Sequence, residues 1–389
     1  MLRLLRLKLT DFRNYPALTW HPAPRISVLF GANGSGKTNL LEAVSLLVPG
    51  RGLRGARAGD LARHGGDGGW AVAGRFDTPE GETDIGTGAL NQGERRAFRV
   101  DGAPPRSQAE IGRRIAAVWL TPQMDRLFTE SLSGRRRFLD RLVWALEPNH
   151  AREIAAHDTA VGSRNRLLAE GRAKGRQDLG RLDPAWLAGI EDAIARHAVA
   201  ATAARLILVR RLNEHTAASG FPPARMDLAC PIAERLASEP ALAVEDWLRA
   251  ELQASRTRDS AAGSTSLGAH RTDMLLTDLA TGTPAALAST GQQKALLIGV
   301  ILAHARLIET VRGFAPLLLL DEPAVHLDAD RRSALWTVLM DLPAQTLVTG
   351  TDSETFLPLA GCASAWAVGG GQITPDSRFL PEGPVPETR

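Results

Sequence analysis

Gly31, Ala32, Asn33, Gly34, Ser35, Gly36, Lys37 and Thr38 fit the pattern G-x-x-x-x-G-K-[ST] and stand between an apolar run and a helical one. Upstream, Ile26 to Phe30 reads as a buried strand; downstream, Leu40, Leu41, Val44 and Leu47 recur at helical spacing. Strand, glycine-rich loop and helix in that order are the context a phosphate-binding loop requires. The glycines let the chain curl until successive N–H groups face one concavity, and the helix start adds the positive end of its dipole. Ala32, Asn33 and Ser35 are too small to fill that concavity. Lys37 is then expected to reach the β and γ phosphates of ATP, and the Thr38 hydroxyl to ligate Mg²⁺.

Around this stretch, 389 residues are enough for more than one compact domain. The hydrophobic share and the formal charge of +3 suit a globular protein, and no apolar run approaches the roughly 18 residues of a membrane span. Leu5, Leu7 and Leu9 alternate with Arg6 and Lys8, which is strand periodicity and not the apolar core of a signal peptide. A cytoplasmic protein with no membrane partner is expected. Cys230 and Cys362 have no metal-like spacing and read as structural residues of a reduced compartment. Lysine occurs only at positions 8, 37, 174 and 294, so the arginine count reflects a composition bias and by itself says little about DNA. Its distribution says more: up to Asp60, nine Lys or Arg face only Asp11, Glu42 and Asp60, an excess suited to phosphates.

In chain order, Met1 to Trp20 predicts a hairpin bent at Asp11 to Asn14. The loop Gly50 to Arg57 is rich in Gly and Arg. Trp70 to Ala73 and Arg96 to Val100 predict a small antiparallel sheet, and Ile115 to Leu120 another strand. From Ser133 the pattern turns helical, with Phe138, Leu142, Leu146 and Ile154 in register, and continues through Trp186 to Glu214 with breaks at Gly175, Asp183 and Phe221 to Pro223. No sustained heptads occur. Val244 to Gln253 is again helical, and the polar Ser255 to Ser266 predicts a loop.

A second half of the site follows. Pro316 to Leu320 reads as a buried apolar strand closing on Asp321 and Glu322, the Walker B pattern, in which Asp321 would orient Mg²⁺ and Glu322 would polarise the attacking water. Thr351 or Asp352, after the strand at Thr346, is placed to sense the γ-phosphate. Ser289, Gly291 and Gln292 put a hydroxyl, a glycine and an amide at a helix start, a further place for an anion. Alone they would be an ordinary helix cap. In the order phosphate loop, helical insert, S-x-G-Q helix and Walker B, they resemble the ATP-binding-cassette ATPases. That likeness implies a dimer in which the Ser289 helix completes the partner's ATP site and His326 to Asp328 crosses the interface.

Asp11 to Tyr15, Gly31 to Glu42, Arg135 to Asp140, Arg164, Asn165, Gly268 to Asp273 and Ser289 to Lys294 together resemble the RecF family of bacterial recombination mediators, whose heads are related to the SMC ATPases. Ala269 stands where that family usually has proline, and Thr272 where an acid is common. Gln123 lies near the family's Q-loop. The resemblance implies a weak, DNA-stimulated ATPase that binds gapped or junction DNA and single and double strands as an ATP-dependent homodimer. It further implies action with RecO and RecR, help in loading RecA, and a link to SOS induction. Whether Arg135 to Arg137 touch DNA or pair locally stays open.

The expected architecture is α/β: an ABC-type P-loop ATPase head made of residues 1–122 and 267–389, with a helical lobe, residues 123–266, inserted between. Two rival readings are an ATPase subunit of a membrane transporter and an SMC-like DNA-bridging protein. The long helical insert argues against the first, and the missing heptads against the second.

Overall fold

The computed structural model describes residues 1–91, 95–173, 184–215 and 220–379. β1 (Arg3–Phe12) and β2 (Tyr15–Trp20) form the expected hairpin. Its bend is tight, with Asp11 and Arg13 at φ 44° and 56°. β3 (Ile26–Phe30) runs through the glycine-rich loop into α1 (Lys37–Leu47). β4 (Trp70–Thr78), β5 (Gly81–Ala89) and β6 (Ala97–Val100) then complete an antiparallel sheet in the order β2-β1-β4-β5-β6. β5 lies in the Gly- and Thr-rich stretch from which no strand was expected. Thr83, Ile85 and Thr87 alternate inward there, a pattern in which the apolar face is half threonine. Strand β4 alternates cleanly, Trp70, Val72 and Phe76 inward and Ala71 and Ala73 outward. The inward face receives α1. A Cβ on Gly74 would stand 2.7 Å from Leu47 Cδ1, so glycine there lets helix and sheet close.

α2 (Gln108–Arg114) and β7 (Ala117–Leu120) precede the helical part of the chain. α3 (Leu132–Leu146), α4 (His150–Ala173) and α5 (Pro184–His215) are followed by β8 (Ala224–Ala229), α6 (Pro231–Leu236), α7 (Ala241–Ala254), α8 (Arg256–Ala262) and β9 (Asp273–Asp278). The breaks expected at Gly175 and Asp183 lie outside the described residues. α9 (Thr290–Arg312), β10 (Leu317–Leu320), α10 (Ala329–Asp341), β11 (Thr346–Gly350), β12 (Ala363–Gly369) and β13 (Gln372–Pro375) end the described chain.

The chain divides into two compact units. One is built from both ends, up to Arg126 and from Ser289 onward, together with a short return that includes residues 220–223. Its second sheet runs β13-β12-β3-β11-β10-β7, parallel except at β13. Leu317 to Leu320 are buried on both faces, as a central parallel strand requires; each burial contributes roughly 2 kcal/mol. Because β3, β10 and β11 are parallel neighbours, the phosphate loop, Asp321 and Thr349 emerge at one carboxyl edge, where open α/β sheets place ligands.

The other unit comprises Leu127–His215 and Ala224–Ala288. Its core gathers Ile194, Ala198, Ile232, Val244, Leu248 and Leu252. Two corrections arise here. The insert does not stop at residue 266: β9 pairs with β8 along Ala224 to Ala229, so the segment through residue 288 belongs to it. And Ser255 to Ser266 is not all loop, for α8 forms without an apolar stripe. Arg256 pairs with Glu191 and Asp259 with Arg164, and Gly263 at φ 68° ends the helix. Ion pairs to distant residues hold this helix, and local periodicity carries no trace of them.

Candidate nucleotide-binding site

The phosphate loop is shaped by backbone demands. Gly34 adopts φ 80° and Gly36 φ 111°, a region glycine enters without steric cost. A Cβ on Gly36 would lie 2.5 Å from Asn14 Nδ2 and 2.7 Å from the Tyr15 hydroxyl, and one on Gly31 would collide with the Val368 carbonyl. Lys37, the first residue of α1, is buried and donates from Nζ to the carbonyls of Gly31 at 2.7 Å and Ala32 at 3.0 Å. Burial lowers its pKa while the charges of Glu322 and Asp321 oppose the shift, which places both carboxylates in its field. Ser35 Oγ is buried and accepts from and donates to no described residue. An orphaned hydroxyl on the glycine-rich loop fits an incoming phosphate oxygen.

Beside the loop lies a group of oxygens. Thr38 Oγ1 donates to Asp321 at 2.9 Å (Oδ1) and 3.0 Å (Oδ2). Asp321 Oδ1 also accepts from Thr349 Oγ1 at 2.8 Å, and the same Thr349 oxygen accepts the Glu322 N–H at 2.9 Å. Hydroxyl and carboxylate oxygens are the donor set of a hard divalent cation such as Mg²⁺. Glu322 has φ 49°, unusual for a residue with a Cβ, and its carboxylate makes no hydrogen bond to any described residue. It is therefore free to meet solvent or substrate.

Sequence reasoning gave no site role to the bend before β2, and the structure supplies one. Asn14 Nδ2 donates to the Ser35 carbonyl at 3.2 Å and the Tyr15 hydroxyl to the Gly36 carbonyl at 3.1 Å. Arg13 forks onto buried Glu42 of α1 at 2.9 and 2.8 Å, and Arg54 reaches Asn39 and Glu42. Burial pushes the Tyr15 phenol far up, so it stays a donor. The hairpin bend thus braces the phosphate loop from outside, and part of the Gly- and Arg-rich loop pairs with α1. Thr349 was likewise missed, since a threonine in an apolar strand carries no local signal.

Ser289, Gly291 and Gln292 are not joined by hydrogen bonds to the phosphate loop of their own copy. Ser289 and Gln292 cap each other: the serine hydroxyl accepts the Gln292 N–H at 3.4 Å and the Gln292 side chain accepts the Ser289 N–H at 3.0 Å. Both are exposed. Gly291 abuts the His326 carbonyl, 3.0 Å from where its Cβ would be, so the helix start and the loop after β10 form one surface. Gln123 is exposed in a short 3-10 turn, Pro122–Arg126. Asp352 accepts from Thr355 N–H and Oγ1, both at 3.0 Å, and so caps the next turn. In the second unit, Arg135 forks onto Asp273 at 2.6 and 3.0 Å and Arg136 donates to the Thr272 carbonyl, partners remote in sequence and not the nearby Asp140. Arg137 is exposed.

The model of the RecF/RecN/SMC N-terminal domain matches residues 3–364. The DNA replication and repair protein RecF of Mesorhizobium japonicum is 45% identical over 376 residues, covering 95% of this chain and 97% of that one. The chain belongs to the RecF family. The RecF of a Rhizobium etli strain is 46% identical over 377 residues, with 95% and 98% covered. Among solved structures, one of the recombination mediator protein RecF-ATPrS in the RecFOR pathway superposes with a TM-score of 0.82 over 96% of this chain and 98% of that one, at 22% identity, which shows the same fold. The RecF-family assignment makes this a DNA replication and repair protein with an SMC-like ATPase head. No described helix is long and apolar enough to cross a membrane.

Proposed function

We propose that this RecF-family chain binds and slowly hydrolyses ATP, and that ATP drives two copies together into a form that holds gapped or junction DNA and single or double strands. With RecO and RecR it assists RecA loading in recombinational repair and at replication forks, and so feeds SOS induction. The reading rests on one observation above all: Lys37 on the glycine loop, beside the Thr38, Asp321 and Thr349 oxygens, with the Glu322 carboxylate free. The backbone amides from Gly31 to Gly36 and Lys37 would hold the phosphates, and Thr38 and Asp321 the Mg²⁺. The ion, when bound, neutralises charge on the phosphoryl oxygens. Glu322 would take the proton of the attacking water. Ser289, Gly291 and Gln292 would meet the partner's nucleotide, where their exposed helix start offers amides to an anion. The ATPase head and the helical unit are proposed as the two working domains.

Gel shifts on gapped, blunt and single-stranded DNA, with and without ATP and at several salt concentrations, test this reading. ATP should tighten binding and steepen its salt dependence, because each added phosphate contact releases counterions. Equal affinity and equal slope with and without nucleotide would remove the ATP-dependent clamp.

A further inference from the structure

Lys294 is a buried cation on α9, in the second helical turn after Ser289. Its ammonium donates to the backbone carbonyl of Glu322 at 3.1 Å and lies 3.4 Å from the Asp125 carboxylate. Asp125 lies in the 3-10 turn that follows β7, so one side chain ties together helix, turn and the segment just after β10. In a chain whose basic residues are nearly all arginine, a lysine here suits a site that takes a compact point charge and would not admit a planar fork.

We propose that Lys294 is a positioning residue for ATP hydrolysis, fixing the backbone of Glu322 so that its carboxylate faces the attacking water. The inference rests on the ATPase reading given above. Glu322 sits at φ 49°, a conformation that persists in a residue with a Cβ only where the surroundings enforce it. Three contacts enforce it. Its N–H is held by Thr349 Oγ1 at 2.9 Å, and its carbonyl accepts from Lys294 at 3.1 Å and, at 3.4 Å, from the Val325 N–H of the turn that follows. The first contact ties Glu322 to the Asp321 cluster through Thr349; the second ties it to α9. Lys294 touches neither the phosphate loop nor any group assigned to the nucleotide, so its removal should leave ATP binding alone. A displaced carboxylate, by contrast, costs rate steeply: about 1 Å is worth on the order of 100-fold.

The test compares wild type, Glu322→Gln, Lys294→Met, Asp125→Asn and the double variant Asp125→Asn/Lys294→Met. ATP affinity is read by calorimetry, kcat by phosphate release and folding by thermal melting. Lys294→Met alone leaves the half-buried Asp125 carboxylate unpaired and is expected to melt early; the double variant removes both charges and should recover the melting temperature. The expected result is that both Lys294 variants keep ATP affinity within about 3-fold while kcat falls by roughly 10-fold or more. Asp125→Asn, which leaves the contact to Glu322 in place, should retain most of its kcat. A stably folded double variant with wild-type kcat overturns the proposal, as does a fall in ATP affinity that parallels the fall in rate. So does Asp125→Asn losing as much kcat as Lys294→Met. Wild type no faster than Glu322→Gln would instead sink the hydrolysis reading, and this inference with it.

Discussion

Lys37 and Glu322 divide the chemistry between them, and their substitutions should separate binding from turnover. Lys37→Ala removes the one side-chain charge on the loop and should weaken ATP binding at least 100-fold by calorimetry, since a desolvated charge pair to phosphate is worth about 3 kcal/mol or more; near-native affinity would mean the loop is not a nucleotide site. Glu322→Gln keeps the shape but cannot take the proton. It should bind ATP normally, hydrolyse it at least 100-fold more slowly and release DNA more slowly with ATP present, in a stopped-flow trace. Equal DNA off-rates for wild type and variant would show that hydrolysis does not govern release. At this scale the sequence was legible where a motif is contiguous: the eight loop residues and Asp321 to Glu322 stand where their order placed them. It was illegible where partners are remote. Thr38 meets Asp321 across 283 residues, but the motif itself foretold that meeting; nothing foretold that Thr349 would join them or that Asn14 and Tyr15 would grip the loop.

Elements inherit this division. The strands and helices carrying motifs were evident from apolar periodicity, whereas β5 was hidden by its Gly and Thr residues, and α8 by having no apolar face. Among the elements, α9 bears the clearest prediction. Its first residues form a complete capping box whose Ser289 and Gln292 are exposed. Ser289→Arg should cost about 1 kcal/mol of helix capping yet leave ATP binding by the single copy intact, and should block the ATP-driven dimer by putting a bulky cation where the partner's nucleotide would lie. Sedimentation in ATP reads the outcome; a normal dimer would remove the composite site.

Across the whole molecule, the family resemblance seen in the sequence includes residues of the helical unit that belong to no nucleotide-binding motif. Arg164 is fully buried in the helical unit. It donates to Glu191 at 3.1 Å, Asp259 at 2.7 Å, Thr265 at 3.0 Å and the Leu252 carbonyl at 2.6 Å. Arg205 likewise forks onto Asp140 and reaches the Ala269 carbonyl and Thr272 Oγ1, so the threonine that departs from the family pattern has a partner of its own. Arg164→Ala leaves buried Asp259 without its cation, while Glu191 keeps Arg256, and should destabilise the unit by roughly 3 kcal/mol, read as the shift of its denaturant midpoint. Acid should weaken the same unit. Burial pulls His270 down to about 4, against a hydrogen bond from its ring to the Thr265 carbonyl. The unfolded chain therefore binds the proton first, and stability should fall as pH drops from about 6.5 toward 4, by roughly 2 kcal/mol at pH 4.5. Asp259, where hydrogen bonds from Ser266, Arg164 and Ser255 outweigh burial and hold the carboxyl low, adds a further loss at still lower pH. Chemical denaturation at pH 7 and 4.5 checks the histidine share: His270→Gln should flatten the dependence, and an equal slope in variant and wild type would assign it elsewhere.

The Arg164 cluster also restricts how this chain can change over generations. Glu191, Leu252, Ser255, Asp259 and Thr265 all answer to one guanidinium, so a substitution at Glu191 or Asp259 is judged by what the others hold at that moment, and a neutral replacement of Arg164 is open only to a lineage that has already lost the acids. Mutational paths through this part of the helical unit are therefore few and ordered, whereas the exposed outer faces of the same helices are free to drift one residue at a time.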